Sequence, residues 1–254
     1  MPPPVLSVVV PTFNEAVRIL STINDIREEM NRLDVVAELI VVDDGSADDT
    51  AAIVAEVAQS DVRVRLVRAA HAGKGAAVRR GMGEARGTWL FLADADLSMP
   101  ISELKRFLEA AAHDGDVIVG SREANGAQRI GEPWSRHVIG RVFNWTVKVL
   151  VLRGIDDTQC GFKLFRARAA QVLFPLQQLD GFGFDVEILF LARRAGLVIR
   201  EIPITWVYRR ETKVSVTSGA RAFLDLLAVR WHQVRGAYPP RPEMVAAVER
   251  QSFL

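Results

Sequence analysis

Two carboxylates one residue apart, Asp94 and Asp96, close the apolar run Trp89-Leu90-Phe91-Leu92-Ala93. In an extended segment, alternation turns both acids to the same side and the small Ala95 away from them. Paired hard oxygens of this kind suit Mg²⁺ or Mn²⁺, with substrate phosphates completing the metal's shell. A lone D-x-D also occurs as a polar turn at a strand end, so its chemistry depends on what converges on it. Two other apolar runs end in polar signatures, Pro11-Thr12-Phe13-Asn14-Glu15 and Asp43-Asp44-Gly45-Ser46. Gly73-Lys74-Gly75, just before a helical pattern, adds a candidate anion site.

These segments are punctuated by alternating strand and helix patterns. Strand signals cover 6–10, 38–42, 62–67, 89–93 and 117–119, separated by helical patterns over about 15–33, 48–58, 75–85 and 100–114. Such alternation predicts βαβ units in a parallel, doubly wound sheet. Ligands of such sheets bind beyond the carboxyl ends of the strands, where all three polar signatures should meet. The first strand is not followed by G-x-G-x-x-G, and no G-x-x-x-x-G-K-[ST] occurs, so neither a dinucleotide cofactor nor a Walker phosphate loop is supported. A pyrophosphorylase loop of the G-x-G-[ST]-R-L kind is also missing after the first strand.

Composition narrows the classes further. The 254 residues are 49% hydrophobic and 25% charged, which describes a globular chain with a sizeable core. A formal net charge of +1 lacks the basic excess of a nucleic-acid protein. The single cysteine, Cys160, excludes an internal disulfide framework, and no nucleophile motif surrounds it. Met1-Pro2-Pro3-Pro4 does not read as a signal peptide, and no apolar run is long enough to span a membrane. The expectation is a chain that is soluble or held at a membrane surface.

The second half is less periodic. Residues 122–134 form a polar segment suited to a mobile loop over the site. Helical patterns follow over 138–152, 185–195 and 221–234, and Pro203 breaks a strand signal over 198–206. The 138–152 and 221–234 patterns mix apolar faces with Arg, Lys and Trp, as helices at a membrane interface do.

Taken together, VVVPTFNE, ELIVVDDGSADDT, GKGAAVRRGM and FLADADLSMP resemble the inverting glycosyltransferases of family 2, which have the GT-A fold. GIDDTQCGFKLFRARAA, GFGFDVEILFLARRAG and EIPITWVYRRETKVSV narrow the likeness to the dolichyl- and polyprenyl-phosphate glucosyltransferase branch, over residues 5–218. The resemblance implies a GT-A domain over 1–217 and a C-terminal amphipathic helix and tail over 218–254. Pro11, Thr12, Asn14 and Glu15 would line the nucleoside pocket, with Asp44 or Asp43 reading the base edge beside Gly45, and Lys74 holding the nucleotide. Asp96 would be the principal metal ligand, and Asp94 would lie near the ribose and donor sugar with Ala95. Ser98 stands where mannose-specific relatives often carry Gln. Arg122, Arg136 and Arg209 match basic positions that embrace phosphates. Gln159, Gly161 and Lys163 would form the acceptor-side loop. Asp185 occupies the base-like place of the wider family and would serve the acceptor site or orient an Arg, with a base role open, and could equally cap its helix.

The implied reaction is metal-dependent, inverting sugar transfer to a polyprenyl or dolichyl phosphate at the cytoplasmic face of a membrane, with UDP-glucose the favoured donor. GDP-mannose and UDP-GalNAc stay open as donors, as do an oligomeric state and a non-catalytic nucleotide-sugar-binding role. A lipid phosphate is largely dianionic near neutral pH, since its second pKa is ~6, and so needs no base to become a nucleophile. It needs cations to hold it, and Arg forks suit that task.

Overall fold

The computed structural model describes residues 3–113, 115–131, 146–147, 151–152, 154–208 and 216–251, with backbone alone for 216–223. The first half follows the predicted alternation: β1 (Leu6–Thr12), α1 (Ile19–Arg32), β2 (Ala37–Asp43), α2 (Thr50–Ser60), β3 (Val64–Arg68), α3 (Lys74–Glu84) and β4 (Trp89–Leu92). A short 3-10 turn, Ile101–Glu103, leads into α4 (Leu104–Ala111), and β5 (Val117–Ser121) follows. The second half adds β6 (Gln128–Ile130), β7 (Lys163–Arg166), α5 (Ala167–Leu173), α6 (Phe184–Arg194), β8 (Ile199–Pro203), β9 (Thr205–Val207), α7 (Val216–Val234) and α8 (Arg241–Gln251).

Among the described residues, seven strands form one sheet in the order β3-β2-β1-β4-β7-β5-β8, and β6 pairs with β9 in a separate ribbon. The central strands are apolar on both sides because both faces are covered. Along β1, Val8 and Val10 join one core cluster while Val9 joins the other, as strand alternation requires. This is the layered architecture of the GT-A fold.

One strand departs from the parallel pattern. β7 runs antiparallel to both β4 and β5, with Leu92 opposite Lys163 and Val119 opposite Lys163 on its other side. Its amino end therefore lies at the carboxyl ends of its neighbours. The short β7, Lys163-Leu164-Phe165-Arg166, carries no sign of strand direction, so periodicity alone could not reveal the reversal.

Of the helix expected over 138–152, only 146–147 and 151–152 are described. Val147, Val151 and Leu152 are buried in the core, so at these positions the apolar side faces inward rather than toward a lipid surface. The final amphipathic helix starts earlier than its sequence pattern, and Leu226, Val229, Tyr238 and Met244 join the same core as β4 and α6. Among the described residues, no helix is long and apolar enough to cross a membrane.

Candidate active site

β1, β2 and β4 are adjacent and parallel, with Thr12 opposite Asp43, so their polar ends lie side by side. Beyond β4, the Ala95 carbonyl accepts the Thr22 hydroxyl at 2.6 Å, and the Ser98 amide donates to Asp96 Oδ1 at 2.9 Å. Between them Leu97 adopts φ +43°, a left-handed conformation that side-chain-bearing residues avoid and that recurs at functional turns. The tight loop presents Asp94 and Asp96 half-buried. The Ser98 hydroxyl beside them is buried and has no hydrogen-bond partner among the described residues.

Asp94 Oδ1 lies 2.7 Å from Lys74 Nζ. Lys74 opens α3 between two glycines that approach backbone closely. A Cβ on Gly73 would fall 2.6 Å from the Asp180 carbonyl, and one on Gly75 would fall 2.6 Å from the Leu179 carbonyl. Burial works against the Lys74 ammonium, but the nearby Asp94, Asp185 and Asp96 carboxylates outweigh it and hold its pKa above the usual lysine range. Lys74 is therefore a permanent cation beside the paired carboxylates.

A cavity of about 940 Å³ opens next to this pair, lined in part by Thr12, Phe13, Asp44, His71, Lys74 and Phe182. The Phe13 and His71 rings stack at 4.1 Å, a flat aromatic surface at the cavity wall. The buried Asp44 is engaged by the loop ahead of α3, its two oxygens accepting the Ala72 and Gly73 amides, each at 2.9 Å. His71 Nδ1 lies 2.8 Å from Asp44 Oδ2. Asp43, also buried, accepts the Ser46 amide at 3.3 Å. Gly45 takes φ +72° with the His71 backbone so close that a Cβ would meet it at 2.8 Å. Asn14 ties the ends of β1 and β2 together, its Oδ1 accepting the Ala47 amide and its own amide donating to Ser46 Oγ, both at 2.8 Å. The Glu15 amide donates to Thr50 Oγ1 at 2.7 Å, and Pro11 completes the cavity rim.

The reversal of β7 brings the second motif to the same place. Gly161, just before β7, packs against the Asp94 carboxylate. Lys163 points into the interior, with Nζ 2.5 Å from Asp185 Oδ1 and 2.5 Å from the Cys160 carbonyl. Gln159 is half-buried in the same loop. Burial pushes the Asp185 carboxyl above the usual carboxylate range, against the pull of Lys163 and Lys74. Asp185 sits in the first turn of α6 and caps nothing, since the N-cap position is Gly183 and no side-chain cap bond forms there. The Cys160 thiol is pushed up to about 12, chiefly by burial, so it stays a neutral core thiol.

Arg122 pairs with a buried acid. Its fork closes on the fully buried Asp157, Nε to Oδ2 at 2.6 Å and Nη2 to Oδ1 at 2.8 Å, and its backbone amide donates to the same carboxylate at 3.0 Å. Burial alone would raise the Asp157 pKa, but Arg122 overcomes it and holds the carboxyl below the usual range. Glu201 on β8 fixes this loop by accepting the Asp156 and Asp157 amides. Arg136 and Arg209 lie outside the described residues.

Four side chains in this arrangement carry more than their sequence context suggests: Phe13, His71, Asp157 and Glu187. Phe13 and His71 look like loop residues until stacked, and Asp157 shows its role only with Arg122 beside it. Glu187 is buried and holds the cavity wall by accepting the Gln178 and Leu179 amides, both at 2.9 Å. A signal was present in the spacing of Asp185 and Glu187, two acids in the first turn of a helix that is apolar from Ile188 to Ala192.

The donor set is compatible with a divalent metal. Among the described residues no cluster of three or more His, Cys, Asp or Glu side chains forms a complete cage. Asp94 and Asp96 offer the one or two carboxylates with which Mg²⁺-type sites are built around substrate phosphates.

Comparison with known proteins agrees with this geometry. The family model of glycosyl transferase family 2 matches residues 7–174. The chain is 32% identical over 233 residues to a dolichyl-phosphate beta-glucosyltransferase, ALG5C, of Trichomonas vaginalis, covering 87% of this chain and 69% of that one. The dolichyl-phosphate beta-glucosyltransferase of Saccharomyces cerevisiae is 32% identical, with 92% and 76% covered, and that of Homo sapiens 33%, with 92% and 77% covered. In fold it resembles glucosyl-3-phosphoglycerate synthase of Mycobacterium tuberculosis, crystallised with Mn²⁺, UDP and glucosyl-3-phosphoglycerate. That match has a TM-score of 0.65 at 19% identity and covers 89% of this chain and 80% of the other. With the paired carboxylates, the nucleotide-sized cavity and the second motif all at one sheet edge, the chain belongs to glycosyltransferase family 2 and is a glycosyltransferase.

Proposed function

We propose that this enzyme transfers glucose from UDP-glucose to a polyprenyl or dolichyl phosphate with inversion, working at the cytoplasmic face of a membrane. The cavity beside Lys74 receives the nucleotide, with the base against the Phe13–His71 surface and the diphosphate toward Lys74, Asp94 and Asp96. Asp96 and Asp94 would hold Mg²⁺ or Mn²⁺, which when bound offsets the charge that develops on the leaving diphosphate. Lys74 supplies a further fixed positive charge there, kept protonated by its acidic neighbours. Asp94, held by Lys74 and backed by Gly161, orients toward the donor sugar, and the loop of Gln159 and Gly161 brings the acceptor to the opposite face.

The observation that carries this reading is the state of Asp185. The carboxylate in the base-like place is buried and ion-paired with Lys163 at 2.5 Å, so it is poorly placed to take a proton from an alcohol. An acceptor that arrives as an oxyanion has no need of it, and a phosphate monoester is such an acceptor. The names of the relatives support the same acceptor and sugar.

The test compares a short-chain polyprenyl phosphate with the matching polyprenol. The phosphate should accept glucose from UDP-glucose in the presence of Mn²⁺, and the alcohol should not. Equal transfer to both would overturn the oxyanion mechanism and return Asp185 to the role of base. Donor choice is checked by a thermal-shift panel of UDP- and GDP-sugars, because a bound ligand stabilises the folded state by mass action.

A further inference from the structure

Helix α7 is apolar on two sides. Leu226 and Val229 are buried in the core, whereas Leu224, Leu227, Trp231 and Val234 are 64%, 57%, 53% and 82% exposed. At ~3.6 residues per turn the four exposed positions share an arc of about 80°, roughly opposite the buried pair. A stripe of large apolar side chains left in water marks a contact surface.

Its charge border indicates the partner. Arg230 and Arg235 are exposed along α7 and just beyond it, and the Arg235 guanidinium lies 4.0 Å from the centre of the Trp231 ring. The one acid among the described side chains of α7, Asp225, binds inward to the Gly183 amide at 3.0 Å. An apolar stripe with a tryptophan, bordered by arginines, suits an anionic lipid surface. Four side chains along a single helix fall well short of the ~20–30 residues per side in a stable protein interface.

The inner side of the same helix reaches the cavity. Asp225 lines it, and Gly183 accommodates Asp225 only because a Cβ there would fall 2.3 Å from the Asp225 Cβ. Phe182, next to Gly183, lines the cavity too, with Lys74 Nζ 5.9 Å from its ring centre. Past the end of α7, the Tyr238 hydroxyl donates to Glu187 Oε1 at 2.6 Å. Glu187 in turn holds the Gln178 and Leu179 amides of the cavity wall. The C-terminal segment thus grips this wall at two points.

We propose that α7 docks on an anionic lipid surface through its outer stripe, and that this docking is coupled to nucleotide binding in the cavity walled by its inner side. The coupling rests on reading that cavity as the donor pocket. A surface that fixes α7 also fixes Asp225 and the 178–183 wall, so nucleotide and membrane each strengthen the binding of the other, as linkage requires.

The experiment measures the affinity of the full chain for UDP with Mn²⁺ by calorimetry. It is run in solution and with vesicles of phosphatidylcholine containing phosphatidylglycerol, alongside vesicle co-sedimentation. Vesicles should tighten UDP binding at least ~5-fold, the lower end of ordinary couplings. A Leu227→Glu/Trp231→Glu variant should lose both sedimentation and the gain while keeping the solution affinity for UDP, which also certifies its fold. Asp225→Ala should still sediment but show little gain. Sedimentation without any change in UDP affinity would overturn the coupling. Sedimentation of the Leu227→Glu/Trp231→Glu variant would overturn the stripe as the docking face. A wild-type dimer abolished by the variant, without vesicle binding, would identify a second copy as the occupant and overturn the lipid assignment. Failure of UDP to bind in either setting would overturn the donor reading itself, independently of the sedimentation result.

Discussion

Gly161 lies so close to Asp94 that a Cβ on the glycine would fall 1.8 Å from Asp94 Oδ2. The loop that leads into β7 is therefore in contact with the carboxylate that follows β4. Any side chain at position 161 must displace Asp94 or the loop that carries it.

Gly161→Ala tests that contact. The added methyl should move the Asp94 carboxylate off Lys74 and lower turnover by ~10-fold or more, since misplacement of about 1 Å near reacting groups costs up to ~10²-fold. Thermal unfolding should change little by comparison. Unaltered turnover would mean that the position of Asp94 is unimportant.

Asp96→Asn keeps the shape of the loop and removes a metal-binding charge. Several kcal/mol of charge stabilisation are at stake in metal-assisted reactions, so kcat should fall on the order of 10²–10³-fold. EDTA should reproduce the loss in the unaltered enzyme, and Mg²⁺ or Mn²⁺ should restore it. Full activity in EDTA would contradict a metal requirement.

Asp185→Asn should strand Lys163 as a buried, unpaired cation and destabilise the fold by about 3–5 kcal/mol. A Lys163→Met/Asp185→Asn pair should recover much of that loss, which chemical denaturation would show. Turnover by the recovered double variant would separate a positioning role for the ion pair from a proton-accepting role for Asp185.

Arg122 and Asp157 make a pH prediction. The folded-state pKa of Asp157 is lowered, so its contribution to stability is fully present above the unfolded carboxylate value of ~3.9 and is lost as pH falls through the folded value. In Arg122→Ala, burial acts on Asp157 without its partner and its pKa should rise. The slope contributed by this residue then changes sign, with stability declining as pH increases above ~3.9. Unfolding curves at a series of pH values, compared between the two proteins, measure the difference.

The first half of the site was legible because local sequence signals and tertiary placement coincide there. The run Trp89–Ala93 is apolar since it is a central strand, and Asp94 and Asp96 follow it because that strand ends at the site. Asp44 and Arg122 were legible as polar residues at strand ends, but not by partner. Asp44 reaches Ala72 and Gly73 across 28 and 29 residues, and Arg122 reaches Asp157 across 35. Periodicity carries no information over such separations. The same limit hid β7, whose direction depends on strands far away in the chain. It also hid the sidedness of α7, where Leu226 and Leu227 are adjacent apolar residues that face opposite surroundings.

The ladder that joins β7 to β4 and β5 is made of backbone groups, which are common to every residue type except proline. The register of β7 is therefore held by groups that sequence does not vary, while its side chains are held by the core, Leu164 on one face of the sheet and Phe165 on the other. Side-chain constraints along β7 therefore concentrate at its amino end, where the glycine at position 161 must clear Asp94 and the buried Lys163 must meet Asp185.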